Sequence, residues 1–437
     1  MKSKNLKFDE INEGFTIKEA IEEAKRCLNC KNPACIKGCP IENNIPLFIN
    51  QLSMGNMGAA IHIINEKSNL PAICGRVCPH EKQCVGHCVL NAKGMPINIG
   101  KLERFAADFD EDMGLIKERL PQKGRGKVAV IGSGPAGLTV AGDLAREGFN
   151  VVIYESQPEP GGVLMYGIPE YRLPKEVVKK EIKKIEALGV TFFTHTVIGK
   201  NITVDDIFEQ GYDAVFIGSG TALPKALEIP GYMAKGIIQS SYFLRMVNLF
   251  NAGNIGREEV PVKTGETIGV IGCGNVGIDA ARTALRMGAS KVKIIYHRTE
   301  KEMSALKSEY EEAVKEGVEF LWNTNPKEFV TDDKNILRGI KAKTAKGEKK
   351  FTLDRILLAV GSRPANRIVS TTSGIEVDNA GYVITKEKPY GMTTRKGVFA
   401  GGDVVHTPQT VVLAMKEAKQ VAKGIAQYID AKKLLEE

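Results

Sequence analysis

Apolar positions along this chain follow two periods, and the change between them divides it. In the first hundred residues they recur at helical spacing. Ile17, Ala20, Ile21 and Ala24 share one face of a helix predicted over Thr16–Leu28. Ile99, Leu102, Phe105 and Ala106 share a face of another that begins near Pro96. Ile45–Leu52 and Met57–Asn65 predict two short helices between them. Beyond residue 127 the pattern becomes short continuous apolar runs that end on glycine: Val128–Ile131, YDAVFIGSG at Tyr212–Gly220, RILLAVGSRP at Arg355–Pro364 and GVFAGGD at Gly397–Asp403. Such runs are strands buried on both faces, and amphipathic segments such as Lys175–Leu188 and Val411–Gln427 supply the covering helices. Pro121–Gly126 is a polar linker, and Gly161–Pro174 is too rich in glycine and proline for a regular element.

Two stretches read as strand, glycine turn, helix and second strand without a gap. In Val128–Glu155, Gly132, Gly134 and Gly137 fill the G-x-G-x-x-G positions, with Pro135 and Ala136 opening the helix. The first glycine makes a tight turn, the second admits a pyrophosphate and the third lets helix pack on strand. The phosphates then meet N–H groups at the helix N-terminus. Glu155 lies 18 residues after Gly137, where a carboxylate can hydrogen-bond a ribose hydroxyl. The second stretch starts at Thr267 and carries Gly272, Gly274 and Gly277, with Asn275 and Val276 after the middle glycine. Its second strand ends on His297 and Arg298 instead of an acid. A guanidinium takes a 2′-phosphate bidentately, whereas a carboxylate would repel it, so this turn predicts NADP(H). Gly402 and Asp403 follow another strand, and an aspartate there can hold a ribityl or ribose hydroxyl. Cys273 reads as a small buried side chain.

Eight of the nine cysteines fall in the first 90 residues. Cys27, Cys30, Cys35 and Cys39 form C-x2-C-x4-C-x3-C before Pro40, and Cys74, Cys78, Cys84 and Cys88 form C-x3-C-P-x4-C-x3-C. Zinc ribbons pair C-x2-C with C-x2-C, and a disulfide framework needs an oxidising compartment. Iron–sulfur clusters fit better, because in ferredoxin-type runs ending in Cys-Pro the last cysteine ligates the other cluster. Two zinc sites are the alternative. The net charge of +8, from 60 basic and 52 acidic residues, is spread along the chain without a basic block, so nucleic acid is not expected as a partner. The start MKSKNLKFDE has no apolar h-region, and no run approaches about 18 apolar residues, so a cytoplasmic protein without membrane attachment is expected.

The double cysteine pattern, GRVCP at Gly75–Pro79, PINIGKLERF, GGVLMYGIPEYRLP and GCGNVGIDAARTALRMGA resemble one family over nearly the whole chain. It includes the small subunit of bacterial NADPH-dependent glutamate synthase and the large subunit of NADH-dependent ferredoxin:NADP oxidoreductase. Dihydropyrimidine dehydrogenase and sulfide dehydrogenase share the module. The resemblance implies an α/β fold: a helical iron–sulfur domain over 1–122, an FAD domain over 123–230 and 369–437, and an NADP domain inserted over 231–368. It implies FAD, NADP(H) and two [4Fe–4S] clusters. Cys27, Cys30, Cys35 and Cys88 would hold one cluster; Cys39, Cys78 and Cys84 would hold the other, with Glu103 as an oxygen ligand or Cys74 in its place. FAD would use Gly132, Gly134, Gly137, Glu155, Gly162, Arg172, Asp403, Thr410 and Val411. NADP(H) would use Gly274, Asn275, Val276, His297 and Arg298, where relatives commonly carry two consecutive arginines.

The activity implied is electron transfer from NADPH through FAD and the clusters to a partner. That partner would be a glutamate synthase large subunit, a flavin or iron–sulfur small subunit, or ferredoxin. The chain contains neither G-x-S-x-G nor H-E-x-x-H. A disulfide reductase would place a cysteine pair soon after the first βαβ unit, and GGVLMYGIPEY has none.

Overall fold

A computed structural model describes residues 6–115 and 122–436; the first five residues of the chain and Pro121 of the expected linker lie outside them. Two compact units emerge. One comprises Met1–Glu10, Tyr166–Tyr171 and Pro224–Ser362, the other Ile11–Met165, Arg172–Leu223 and Arg363–Glu437.

The larger unit begins with helices, and no strand falls among the described residues before 115. Ile17–Lys25 starts on a capping box: Thr16 accepts from the Glu19 N–H, and the Glu19 carboxylate accepts from the Thr16 N–H at 2.8 Å. The helix is shorter than its periodicity suggests, since the chain turns at Asn29 in the left-handed region. Ile45–Ser53 and Met57–Asn65 fall where expected, and Ile99–Met113 starts three residues past Pro96. Phe48, Ile49, Leu52, Ile61, Ile64 and Leu102 close a fully buried core among them.

A seven-stranded sheet follows, ordered Thr385–Glu387, Tyr390–Thr393, Val398–Ala400, Ala214–Ile217, Lys127–Ile131, Asn150–Tyr154, Thr191–Phe193. The last five are mutually parallel. Because Ile131 pairs with Ile217 and Ile217 with Ala400, the glycine turns after these three strands emerge side by side. Carboxyl ends of parallel strands are where such sheets bind ligands. The final helix runs Val411–Glu436, past its expected end at Gln427.

The smaller unit holds a parallel sheet ordered Ile237–Gln239, Arg355–Leu358, Thr267–Ile271, Lys291–Ile295, Glu319–Leu321. Asn275–Arg286 covers it, and its Arg282 and Arg286 both clamp Glu316 at 2.7 Å. A three-stranded antiparallel sheet, Asn325–Thr331, Leu337–Thr344 and Gly347–Thr352, was not expected. Gly161–Pro174 also departs from expectation. Gly161 and Gly162 take positive φ, but Val163–Tyr166 contains no breaker and winds one helical turn before Gly167. No helix among the described residues is long and apolar enough to cross a membrane.

Candidate functional site

The first glycine turn is packed to the limit on three sides and open on the fourth. At Gly132, with φ +97°, a Cβ would lie 2.7 Å from the Gly218 carbonyl oxygen, and at Gly137 one would lie 1.9 Å from that of Gly132. At Gly134 nothing stands within 4 Å, and Pro135 opens the helix Pro135–Arg146. Gly162 closes down on this turn, its Cβ position 2.9 Å from the Gly134 Cα, and Gly402 meets Ala136 in the same way at 3.0 Å. Glu155, only 5% exposed, binds the turn itself. Its Oε2 accepts from the Ser133 N–H at 3.0 Å and hydroxyl at 2.5 Å, and Ser133 Oγ accepts from the Gly161 N–H at 2.9 Å. Asp403 accepts from the Gln409 N–H at 3.2 Å, and burial pushes its carboxyl up. Arg172 is buried, Val411 is half-buried, and the Thr410 hydroxyl oxygen is buried without a hydrogen-bond partner.

The second turn repeats the geometry. A Cβ at Gly272, φ +115°, would lie 2.4 Å from the Ala359 carbonyl oxygen, and one at Gly277 2.3 Å from that of Gly272. A Cβ at Gly274 would lie 3.2 Å from the Ser304 hydroxyl oxygen. Asn275 Oδ1 is buried and unpartnered, while Val276 is exposed. His297 and Arg298 stand exposed just past Lys291–Ile295, with the Tyr296 and His297 rings 5.0 Å apart. Glu302, whose carboxylate is held low first by the Thr299 hydroxyl and N–H, also feels the charges of Arg298 and His297.

The cysteines divide into two groups. Cys27, Cys30, Cys35 and Cys88 line one cavity, walled by Ile49 and Ile99 and rimmed by Leu28 and Val89, which are 62% and 47% exposed. Burial pushes the Cys35 thiol up to about 11, and the charges of Cys27 and Cys88 add to it. Cys39, Cys78 and Cys84 interact with Glu103 instead. Burial raises Cys39 to about 11 and Glu103 to about 8. Cys74 joins this second group: it hydrogen-bonds Cys78, and its Sγ lies 3.6 Å from the Met415 sulfur at the start of the last helix. Among the described residues no three His, Cys, Asp or Glu converge as ligands of a single metal ion would. Cys273 is buried, which pushes its thiol up to about 12.

Residues 3–115 match the family described as dihydropyrimidine dehydrogenase domain II, 4Fe-4S cluster, and residues 126–418 match pyridine nucleotide-disulphide oxidoreductase. The chain is 32% identical to the glutamate synthase [NADPH] small chain of Escherichia coli (strain K12), over 98% of this chain and 96% of that one. It belongs to the glutamate synthase small-chain family. The NAD-dependent dihydropyrimidine dehydrogenase subunit PreT of the same organism is also 32% identical, over 97% of both chains. Lactococcus lactis thioredoxin reductase superposes with a TM-score of 0.54 at 26% identity, over 70% of this chain and 99% of that one. A member of the glutamate synthase small-chain family, this chain is an NAD(P)H-dependent flavin iron–sulfur oxidoreductase that carries 4Fe-4S clusters and binds FAD and NADP.

The residues present fit those groups. Buried thiols that repel one another are deprotonated only against a positive counter-charge, which cluster iron supplies. His80 packs against Gly100, one turn before Glu103; burial holds it neutral, down to about 4, and its Nε2 has no partner. The Thr410 and Asn275 oxygens are orphaned, and Asn275 follows Gly274 directly. Five residues escaped the sequence reading: Ser133, Glu302, His80, and the pair His406 and Glu417, whose ring Nε2 and carboxylate Oε2 lie 2.7 Å apart. Only Ser133 carried a signal, a hydroxyl set between two glycines opposite a carboxylate.

Proposed function

We propose that this chain is the electron-input subunit of a glutamate synthase-type complex, taking electrons from NADPH and delivering them to a partner subunit. In this reading the turn Gly132–Gly137, with Glu155, Gly162, Arg172, Gly402, Asp403, Thr410 and Val411, holds FAD. The turn Gly272–Gly277, with His297 and Arg298, holds NADP(H). Cys27, Cys30, Cys35 and Cys88 hold one cluster; Cys39, Cys78 and Cys84 hold the other with Glu103. The corresponding domains are 1–122, 123–230 with 369–437, and 231–368. Bound flavin accepts two electrons from a nicotinamide and gives them up singly, which lets a hydride donor feed one-electron carriers.

The observation that carries this reading is the placement of the cysteine shell within one compact unit. On one side Cys74 touches Met415, at the helix that follows the Gly402–Asp403 turn. On the other, the first cysteine cavity opens beneath exposed Leu28 and Val89. The second group therefore faces the flavin end and the first faces outward. Exposed apolar side chains around such a cavity suit a protein surface that excludes water during transfer.

The test is anaerobic purification and iron analysis. About eight iron and eight sulfide per chain are expected for two four-iron clusters, with Cys35→Ser and Cys84→Ser each losing about four. Mixing this chain with a glutamate synthase large chain should then produce NADPH-dependent glutamate formation, lost in Leu28→Asp without loss of iron. Stoichiometric zinc with negligible sulfide would remove the electron-transfer role of the cysteines.

A further inference from the structure

The two stretches that wall the first cysteine cavity contain no acid. Residues 25–41, which supply Cys27, Cys30 and Cys35, carry Lys25, Arg26, Lys31 and Lys37 and no Asp or Glu. Residues 82–102, which supply Cys88, carry Lys82, Lys93 and Lys101 and again none. Acids make up 52 of the 437 residues, about one in eight, so the gap is local.

The two stretches meet. The Arg26 guanidinium donates to the Met95 carbonyl at 2.8 Å, and the Met95 N–H donates to the Leu90 carbonyl at 3.2 Å, which ties the residue before Cys27 to the turn Val89–Lys93 after Cys88. Lys31 adjoins Cys30, Lys37 lies two residues past Cys35, and Lys93 closes that turn. All three are exposed and form no ion pair among the described residues. Of the flanking acids, Glu23 is taken up by Arg26 at 2.6 Å and the Asn98 N–H at 2.8 Å, and Glu103 is buried. Glu42 and Glu81 are exposed but do not line the cavity. Leu28 and Val89 line it, and Leu47 and Met95 adjoin it at 49% and 59% exposure. An apolar centre with charges of one sign around it suits a partner of the opposite sign: the charges steer and orient the approach, and the centre excludes water.

We propose that the mouth of the first cysteine cavity docks the acidic face of an electron-carrying protein, with Lys31, Lys37 and Lys93 meeting its carboxylates and Leu28 and Val89 its apolar centre. This rests on reading the cavity as the outward-facing cluster site. Encounter between opposite charges is fast at low ionic strength and slows as salt screens it.

The experiment is stopped flow on the iron-loaded protein with two protein probes of opposite charge. An acidic ferredoxin, supplied reduced, gives one electron to the oxidised protein; a basic cytochrome c, supplied oxidised, takes one from the NADPH-reduced protein. Between ionic strengths of about 0.01 and 1 M the screening length falls from about 30 to about 3 Å, so the ferredoxin rate constant should fall at least about tenfold and the cytochrome rate constant should rise. The double variant Lys31→Glu with Lys93→Glu should keep its iron and its flavin reduction by NADPH, yet at low salt react more slowly with ferredoxin and faster with cytochrome c. A ferredoxin rate that salt leaves unchanged would overturn the proposal, as would a double variant that matches wild type with both probes. A double variant that loses only retention by phosphatidylglycerol vesicles would give the face to a membrane instead. The underlying reading has its own control: Cys35→Ser, short of about four iron, should lose exchange with both probes, and unchanged rates there would place the exit elsewhere and remove the proposal with it.

Discussion

The two units each carry a glycine turn of the same build, and they differ in what meets it. Gly132 and Gly272 both adopt positive φ, and Gly137 and Gly277 both leave no room for a methyl group against the carbonyl that precedes them. In the larger unit the second strand delivers Glu155, and the residue between the first two glycines is Ser133, which donates to it twice. In the smaller unit the strand delivers His297 and Arg298, and the same place in the turn is taken by Cys273. A hydroxyl is needed only where a carboxylate arrives. In the proposed reading the glycines hold a pyrophosphate, while the side chain inside the turn and the strand end together choose the nucleotide.

The largest way to sharpen this contrast is at the strand end. A charge-assisted contact from Arg298 to a 2′-phosphate is worth about 1.5–3 kcal/mol, so Arg298→Ala should lower kcat/KM for NADPH roughly ten- to hundredfold and leave NADH nearly unchanged. Flavin reduction in stopped flow with both nucleotides measures this. Equal losses with NADPH and NADH would mean that Arg298 does not touch the phosphate. The result bears on family range, since relatives here are named for both NADPH and NAD.

Inside the turns, Ser133→Ala strips the hydroxyl donor from a buried carboxylate and the acceptor from the Gly161 N–H, and should cost about 1.5–3 kcal/mol. Cys273→Ala removes only a small buried sulfur and should cost under about 1.5 kcal/mol. Denaturant unfolding of the two variants compares them directly, and equal costs would break the pairing of hydroxyl with carboxylate.

The smallest effect is a difference in pH response. Glu181, 1% exposed, is raised from 4.5 to about 7 by burial, against the pull of Lys184 at 3.2 Å. The folded larger unit then binds a proton that the unfolded chain has lost, so stability falls as pH rises from about 4.5 to 7. Glu181→Gln should flatten that fall. Glu316 in the smaller unit behaves oppositely: burial would raise it, but Arg286 and Arg282 together outweigh burial and hold it low. Its contribution is present above the ordinary carboxylate range and lost as pH falls through the folded value. Thermal unfolding against pH, with Glu181→Gln and Glu316→Gln, should show slopes changing at opposite ends.

Much of this was legible in the sequence because it rests on local rules. The two βαβ units announce themselves by apolar runs that stop at glycine, and the cysteine spacing predicts two groups that cross between the two runs. The antiparallel sheet of the smaller unit was not legible. Leu337–Thr344 and Gly347–Thr352 turn lysines outward on one face, and that charge reads as a loop although Ile340, Ala342 and Phe351 pack inward. Glu155 was legible as an acid at a strand end; its hold on Ser133 required the fold. His406 and Glu417 stand 11 residues apart across a turn and a helix start, a spacing that carries no pattern.

If one turn holds the flavin and the other the reductant, paired glycine substitutions separate the two. Overpacking of about 1–3 kcal/mol is expected at each turn. Gly277→Ala, titrated anaerobically, should retain its FAD, bleach fully with dithionite and respond to NADPH at least tenfold more slowly than wild type. Gly137→Ala should emerge with about a tenth of the wild-type flavin or less. A Gly277→Ala protein that NADPH bleaches as fast as wild type, beside a Gly137→Ala protein that keeps its flavin, would contradict the assignment of both turns.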